Sequence, residues 1–190
     1  MRLFIAVNIK AETKNKIAGI QSALKKGPAS ADVKWIETEN LHLTLKFLGE
    51  VEGDKQENLV SEKLRQAIIG IKKFEIDFEK IGVYPNETAP RVLWLGVGKG
   101  KEELASLANR IENSLSAIGF EKEKRPFSAH LTLGRFKSSQ KGREKISGII
   151  GKMPSEKISD IVEAVYLMKS TLTPRGPIYE VVEKLQLEEK

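Results

Sequence analysis

The sequence predicts an α+β protein of two pseudo-symmetric lobes built on antiparallel sheets. Three observations carry this expectation. Short segments alternate apolar and polar residues with the period of two expected of strands, as in Leu41 to Leu48. Between them lie longer stretches with apolar residues three and four apart, the spacing of a helix with one buried face. The order strand–helix–strand–strand then occurs twice, Leu3–Val7 through Leu48 matching Val92–Val97 through Phe136.

Taken in order, Leu3-Phe4-Ile5-Ala6-Val7 is a strand of β-branched and aromatic residues. Ala11 to Lys26 is a helix with Ile17, Ile20 and Leu24 on one side, stopped by Gly27-Pro28. Val33 to Ile36 is a short strand. In Leu41 to Leu48 the alternation puts Leu41, Leu43, Leu45 and Phe47 on one face and His42, Thr44 and Lys46 on the other. Asp54 to Lys73 is a second helix, and Phe74 to Phe78 a strand. A loop holding Tyr84, Pro85 and Pro90 leads to the strand Arg91–Val97. Lys101 to Ile118 is the clearest helix, with Leu104, Leu107, Ile111, Leu115 and Ile118 aligned. Phe120–Lys124 and Ala129–Phe136 complete the second set of strands. A polar, Gly- and Lys-rich stretch spans 138–152. Two last strands, Ile161–Met168 and Ile178–Leu187, are joined across Thr173–Pro177. No linker divides the chain, so residues 1–190 are expected to form one bilobal domain.

Composition narrows the chemistry. Thirty-two Lys and Arg against 26 Asp and Glu give a net charge of +6, which favours phosphate-rich partners such as RNA. With no cysteine, the chain has no disulfide, thiolate metal site, iron–sulfur cluster or Cys nucleophile. The apolar run after Met1 is too short for a signal peptide, and no stretch has the length of a membrane span. A cytoplasmic location is the expectation.

The chain has two histidines, and each begins the same tetrapeptide: His42-Leu43-Thr44-Leu45 and His130-Leu131-Thr132-Leu133. The two are offset by 88 residues (130 − 42) at matching points of the repeat. Each strand places its His and Thr on one face, so a cleft between the lobes can gather two imidazoles and two hydroxyls. Imidazole titrates near pH ~6.5, so one ring can take a proton while the other gives one. The hydroxyls can donate to phosphate oxygens as charge builds there. This set suits phosphodiester chemistry. Neither tetrapeptide has an acidic residue at metal-ligand spacing, and no metal or other cofactor is expected. Gly96-Val97-Gly98-Lys99-Gly100 lacks the spacing and the following Ser or Thr of a nucleotide-binding loop and is expected to be a strand–helix turn.

These motifs resemble the 2H phosphoesterase superfamily, and their flanks resemble its LigT-like RNA 2′,3′-cyclic phosphodiesterases, also known as 2′-5′ RNA ligases. The likeness runs through Arg2-Leu3-Phe4-Ile5-Ala6-Val7, Leu41–Glu50, Pro90–Trp94, Gly119-Phe120, Arg125–Arg135, Ser170–Gly176 and Tyr179. Ala129 departs from the Pro that relatives carry before the second motif. The resemblance implies helices on the outer faces of two antiparallel sheets, with the active cleft between them. It implies hydrolysis of a 2′,3′-cyclic phosphate to a 2′-phosphate end, His42 being the proton donor to O3′ and His130 the acceptor that activates water. Thr44 and Thr132 would hold phosphate oxygens. An RNA 5′-hydroxyl in place of water would give ATP-independent 2′-5′ ligation. The implied partner is RNA with cyclic phosphate ends, tRNA halves among them, bound by a monomer away from any membrane. Lys46, Arg125, Phe127 and Arg135 are the candidate substrate contacts, with Tyr84 a weaker one. Arg135 has the wrong parity to join His130 unless a bulge at Gly134 re-aims it. The competing reading is a non-catalytic RNA-end binding module. A nucleotide-dependent ligase would need an adenylated lysine motif or a phosphate loop, and the chain has neither.

Overall fold

A strand buried on both faces must have neighbours on both edges and cover above and below. That is the position of the first strand, β1 (Arg2–Asn8), in the computed structural model, which describes residues 1–27, 32–138, 150, 154, 156–174 and 176–189. Leu3, Ile5 and Val7 enter the main core, while Phe4 and Ala6 join a small cluster with Met168 on the other face. The remaining elements are α1 (Ala11–Lys25), β2 (Val33–Trp35), a single 3₁₀ turn (Thr38–Asn40), β3 (His42–Glu50) and α2 (Gly53–Ile68). Then follow β4 (Phe74–Tyr84), β5 (Val92–Val97), α3 (Lys101–Ser116), β6 (His130–Phe136), β7 (Ile158–Val162), β8 (Ala164–Thr173) and β9 (Gly176–Gln186).

The strands run β7-β4-β5-β6-β3-β1-β8-β9, every pairing antiparallel, with β2 added beside β6. The two halves of this array, β7-β4-β5-β6 and β3-β1-β8-β9, meet through one residue pair, Leu43 with Leu131. Elsewhere β3 and β6 diverge, and this gives the two lobes. The helices lie on the face of Leu43 and Leu131: Ile17 of α1, Leu64 of α2 and Leu104 of α3 share one buried cluster with them. The predicted fold class therefore holds.

Four details differ from the sequence expectation. First, β2 pairs with β6, not with β1 or β3, and its supposed counterpart Phe120–Lys124 forms no strand. The halves instead exchange elements. Helix α1 reaches the second lobe, where Gln21 Nε2 donates to the Leu133 carbonyl and Thr13 Oγ1 to the Ser159 carbonyl. Helix α3 reaches the first, where Glu112 pairs with Lys46 of β3. Second, α2 ends at Ile68, five residues early. Third, β4 is about twice its expected length, with an irregularity between Phe78 and Ile81 that lets it continue. Fourth, the predicted strand Ile161–Met168 is split at Glu163 into the end of β7 and the start of β8, which lie in opposite halves of the array. Most of the polar stretch 138–152 lies outside the described residues.

Candidate active site

The antiparallel register through Leu43 and Leu131 sets His42 across from Thr132 and Thr44 across from His130. Both leucines point into the core, so all four polar side chains share the opposite face. The tetrapeptides thus meet head to tail at the bottom of the cleft.

Each imidazole is held the same way. His42 Nδ1 lies 2.7 Å from the Asn40 carbonyl, and His130 Nδ1 lies 2.8 Å from the Ser128 carbonyl. A carbonyl only accepts, so each Nδ1 carries a proton and donates. In the neutral ring this leaves a lone pair on Nε2, free for proton exchange. His42 Nε2 is 3.0 Å from Thr44 Oγ1. Asn40 ends the 3₁₀ turn, and the Ser128 side chain is held by the Tyr84 hydroxyl, 2.6 Å from Ser128 Oγ.

Aromatic rings wall both histidines. Phe4 and Tyr179 lie 5.1 and 5.4 Å from His42, centroid to centroid, and Tyr84 and Trp94 lie 5.0 and 6.3 Å from His130. Trp94 spreads over Gly82 of β4, where a Cβ would come within 2.2 Å of its ring. Glycine at that position makes room for the wall behind His130.

The electrostatics follow from this setting. Burial pushes both imidazoles below their ordinary value, because the cation loses hydration. The carbonyl bonds oppose this. A nearby cation adds to it, Lys14 for His42 and Arg135 for His130. Tyr179 is raised by burial, with the Arg135 charge acting against the rise. The Arg135 charge thus acts on groups of both lobes.

A matched pair of bulges decides what else reaches this face. In β3, Ala6 pairs with Thr44 and Ile5 with Lys46, leaving Leu45 as an extra residue. In β6, Trp94 pairs with Thr132 and Leu93 with Gly134, leaving Leu133 extra. Each bulge reverses the alternation after it. The seven residues from each histidine consequently share one burial pattern. Lys46 and Gly134 fall on the core face, and Phe47 and Arg135 turn to the histidine face. Gly134 is needed there, since a Cβ would lie 2.4 Å from Val33 Cγ1 of β2.

The expectation that Lys46 shares the His42 face is thereby corrected. Lys46 is 3% exposed, its Nζ 2.7 Å from Glu112 Oε1 and 2.9 Å from the Glu121 carbonyl. Arg135 is exposed on the cleft face, as the conditional bulge required. Arg125 is exposed on the wall of a groove of about 760 Å³ that also involves Phe47, Gln56 and Phe120. Phe127 packs half-buried against the main core. Tyr84, the weaker candidate, is in the His130 wall. Lys14, Phe47 and Trp94 were not singled out from sequence as site residues. Lys14 carries no local motif, and unbroken alternation assigns Phe47 to the core. Among the described residues there is no group of three His, Cys, Asp or Glu able to hold a metal ion, and no helix long and apolar enough to cross a membrane.

Comparison with known proteins agrees with this geometry. A family model described as LigT-like phosphoesterase matches the chain twice, over residues 7–94 and 95–179, so that each match carries one of the two motifs. The RNA 2′,3′-cyclic phosphodiesterase of Archaeoglobus fulgidus is 40% identical over 181 residues, covering 95% of this chain and 97% of that protein. That of Methanothermobacter thermautotrophicus is 36% identical over 188 residues, covering 98% and 99%. Among solved structures, Thermus thermophilus TT0787 superposes with a TM-score of 0.83 at 26% identity, covering all of both chains. E. coli LigT complexed with 3′-AMP does so with a TM-score of 0.81 at 26% identity, covering 99% of this chain and 98% of that one.

Proposed function

The chain belongs to the LigT-like phosphoesterase family, and on that premise we propose that it opens RNA 2′,3′-cyclic phosphate ends to 2′-phosphate ends by acid–base catalysis between His42 and His130. One observation carries the mechanism. Both Nδ1 atoms donate to backbone carbonyls two residues earlier, so both Nε2 atoms are left for the same cleft.

Water attacks phosphorus from the side opposite O3′. His130 Nε2 takes the water proton as the new P–O bond forms. The P–O3′ bond breaks, and protonated His42 gives its Nε2 proton to O3′, leaving a 3′-hydroxyl and a 2′-phosphate. Each proton transfer contributes roughly 10²–10⁴ in rate. Thr44 and Thr132 donate to the non-bridging oxygens, where negative charge concentrates. Arg135 adds a positive charge on the same face. The order of the two histidines follows the family pattern, because the cleft itself is nearly symmetric.

With an RNA 5′-hydroxyl in the water position, the same transfers form a 2′-5′ linkage, and ring opening supplies the driving force without a nucleotide. The fit is to any RNA with a cyclic phosphate end, tRNA halves included. All the groups used come from one chain, so a monomer suffices for the proposed catalysis.

The test is an RNA oligonucleotide ending in 2′,3′-cyclic phosphate, incubated with EDTA and no nucleotide. The expected product is a 2′-phosphate end, resistant to periodate until phosphatase removes the phosphate. His42→Ala and His130→Ala should each slow turnover by at least ~10²-fold at an unchanged melting temperature. Activity lost to EDTA and restored by a metal ion would overturn the mechanism. Full activity in either variant would remove that histidine from the mechanism, and an untouched cyclic end in wild type would leave only the RNA-end binding reading.

A further inference from the structure

The two imidazoles are held by matching bonds, but the carbonyls that hold them are not themselves held alike. The Asn40 carbonyl belongs to a closed turn. Asn40 N–H donates to the Glu37 carbonyl at 2.9 Å, Leu41 N–H to the Thr38 carbonyl at 3.3 Å, and Lys14 Nζ to the Glu39 carbonyl at 2.6 Å. The Ser128 carbonyl belongs to residues 120–129, which form neither helix nor strand, and Ser128 is exposed. What reaches this residue is a side chain from another strand: the Tyr84 hydroxyl, 2.6 Å from Ser128 Oγ. Tyr84 is a stiff post for such a bond. Its backbone closes the end of β4, pairing with Val92 of β5 and accepting from Arg91 N–H at 2.7 Å. Its ring packs on Trp94, centroids 5.1 Å apart, and meets the His130 ring edge-on at 5.0 Å and 82°. On the other side of Ser128, the Ala129 carbonyl accepts from Val97 N–H at 3.3 Å.

We propose that Tyr84, acting through Ser128, is the positioning residue of His130, fixing the tautomer of the imidazole and the direction of its Nε2. The inference rests on the reaction proposed above. Bonds at Ser128 Oγ and at the Ala129 carbonyl flank the peptide that carries the Ser128 carbonyl, so that carbonyl keeps facing His130 Nδ1. An imidazole whose Nδ1 has a fixed acceptor keeps its proton there and its lone pair on Nε2, ready for the proton of water. If the carbonyl swings away, the proton can settle on Nε2 instead, and a ring in that form cannot act as the base. The Tyr84 ring restrains the imidazole by contact, and its hydroxyl restrains the imidazole through Ser128. Phenylalanine keeps the first restraint and lacks the second, so the two can be separated. The first lobe needs no such clamp, because its carbonyl is already fixed by a turn.

The test compares wild type, Tyr84→Phe, Ser128→Ala and the double variant on an RNA oligonucleotide with a 2′,3′-cyclic phosphate end. Each single variant should lower kcat about ten-fold with KM little changed, since the lost bond aims the base and does not touch the substrate. The double variant should fall no further than either single one, because both remove the same bond. The bond is exposed, so the melting temperatures should match that of wild type. The chain has two histidines, so nitrogen NMR of the labelled protein resolves each ring. At about pH 8 both rings are neutral. There His130 should pass from the Nδ1–H form to a mixture in all three variants, while His42 keeps the Nδ1–H form. An unchanged His130 tautomer, an equal change in both rings, or additive losses in the double variant overturns the clamp. A raised KM at normal kcat also overturns it and makes the Tyr84 hydroxyl a substrate contact. If wild type leaves the cyclic end unopened, the proposed reaction has failed instead, and the tautomer comparison alone decides the clamp.

Discussion

An imidazole held out of water resists protonation, and both histidines of this cleft are held so. Turnover needs one charged ring and one neutral ring. As pH falls through the value of the base, the base is protonated and lost. As pH rises through the value of the acid, the proton to be donated is lost. Both values lie below the ordinary imidazole value of ~6.5. The optimum of kcat/KM, which reports the free enzyme, should therefore lie below about pH 6.5, with coupling blurring which limb belongs to which ring. A kcat/KM profile between pH 4.5 and 8 checks this, and an optimum above neutrality would contradict it. Lys46 gives a second outcome at this scale. Its partner Glu112 is 12% exposed, so removing the ammonium strands a carboxylate in the core. Lys46→Met should cost about 3 kcal/mol or more of stability. KM should be unchanged where the variant is folded. A raised KM with normal melting would return Lys46 to the role of phosphate contact.

At the scale of the element, the bulges are what the sequence did not disclose. Period-two alternation correctly placed His42 with Thr44 and His130 with Thr132, because both pairs precede the extra residue. It failed at Lys46 and Phe47, because they follow it. A local pattern cannot announce a bulge whose extra residue, Leu45 or Leu133, continues the apolar alternation begun by Leu43 or Leu131. The bulge is fixed by distant partners: the freed Leu133 carbonyl accepts from Ile36 N–H and from Gln21 Nε2, at 3.0 and 2.8 Å, and Gln21 is 2% exposed. Its amide also donates to the Ile36 carbonyl at 2.9 Å. Gln21→Leu keeps the volume and removes both bonds. It should cost about 1–3 kcal/mol, a melting shift of roughly 2–12 °C for a chain of this size. A looser bulge also frees Arg135, so KM for the RNA end should rise with the stability loss. A drop in melting temperature with KM untouched would show that the bulge holds without its glutamine.

For the whole molecule, the repeat was legible as an internal duplication, and the exchange of parts between its halves was not. Sequence order assigns α1 and β2 to the first lobe, but long-range bonds put them on the second: Lys10 N–H to Asp160, Gln21 to Leu133, and β2 along β6. A duplication whose halves trade helices cannot be cut at its midpoint without exposing both cores. The buried cluster makes the same point, since Leu3, Ile17, Leu64, Ile76, Leu104 and Leu131 belong to one continuous set. We therefore expect the two lobes to fold as one unit in spite of the single residue pair that joins β3 to β6. Trp35 and Trp94 both sit on second-lobe strands, so their fluorescence reports that lobe, whereas far-UV circular dichroism reports both. Urea curves from the two probes should coincide in one transition. A fragment of residues 1–88 should lack native dichroism, because α1 and β2 have nothing to pack on. Two separated transitions, or a folded fragment, would mean that each motif strand carries an independent half, and the cleft would then be an interface between domains.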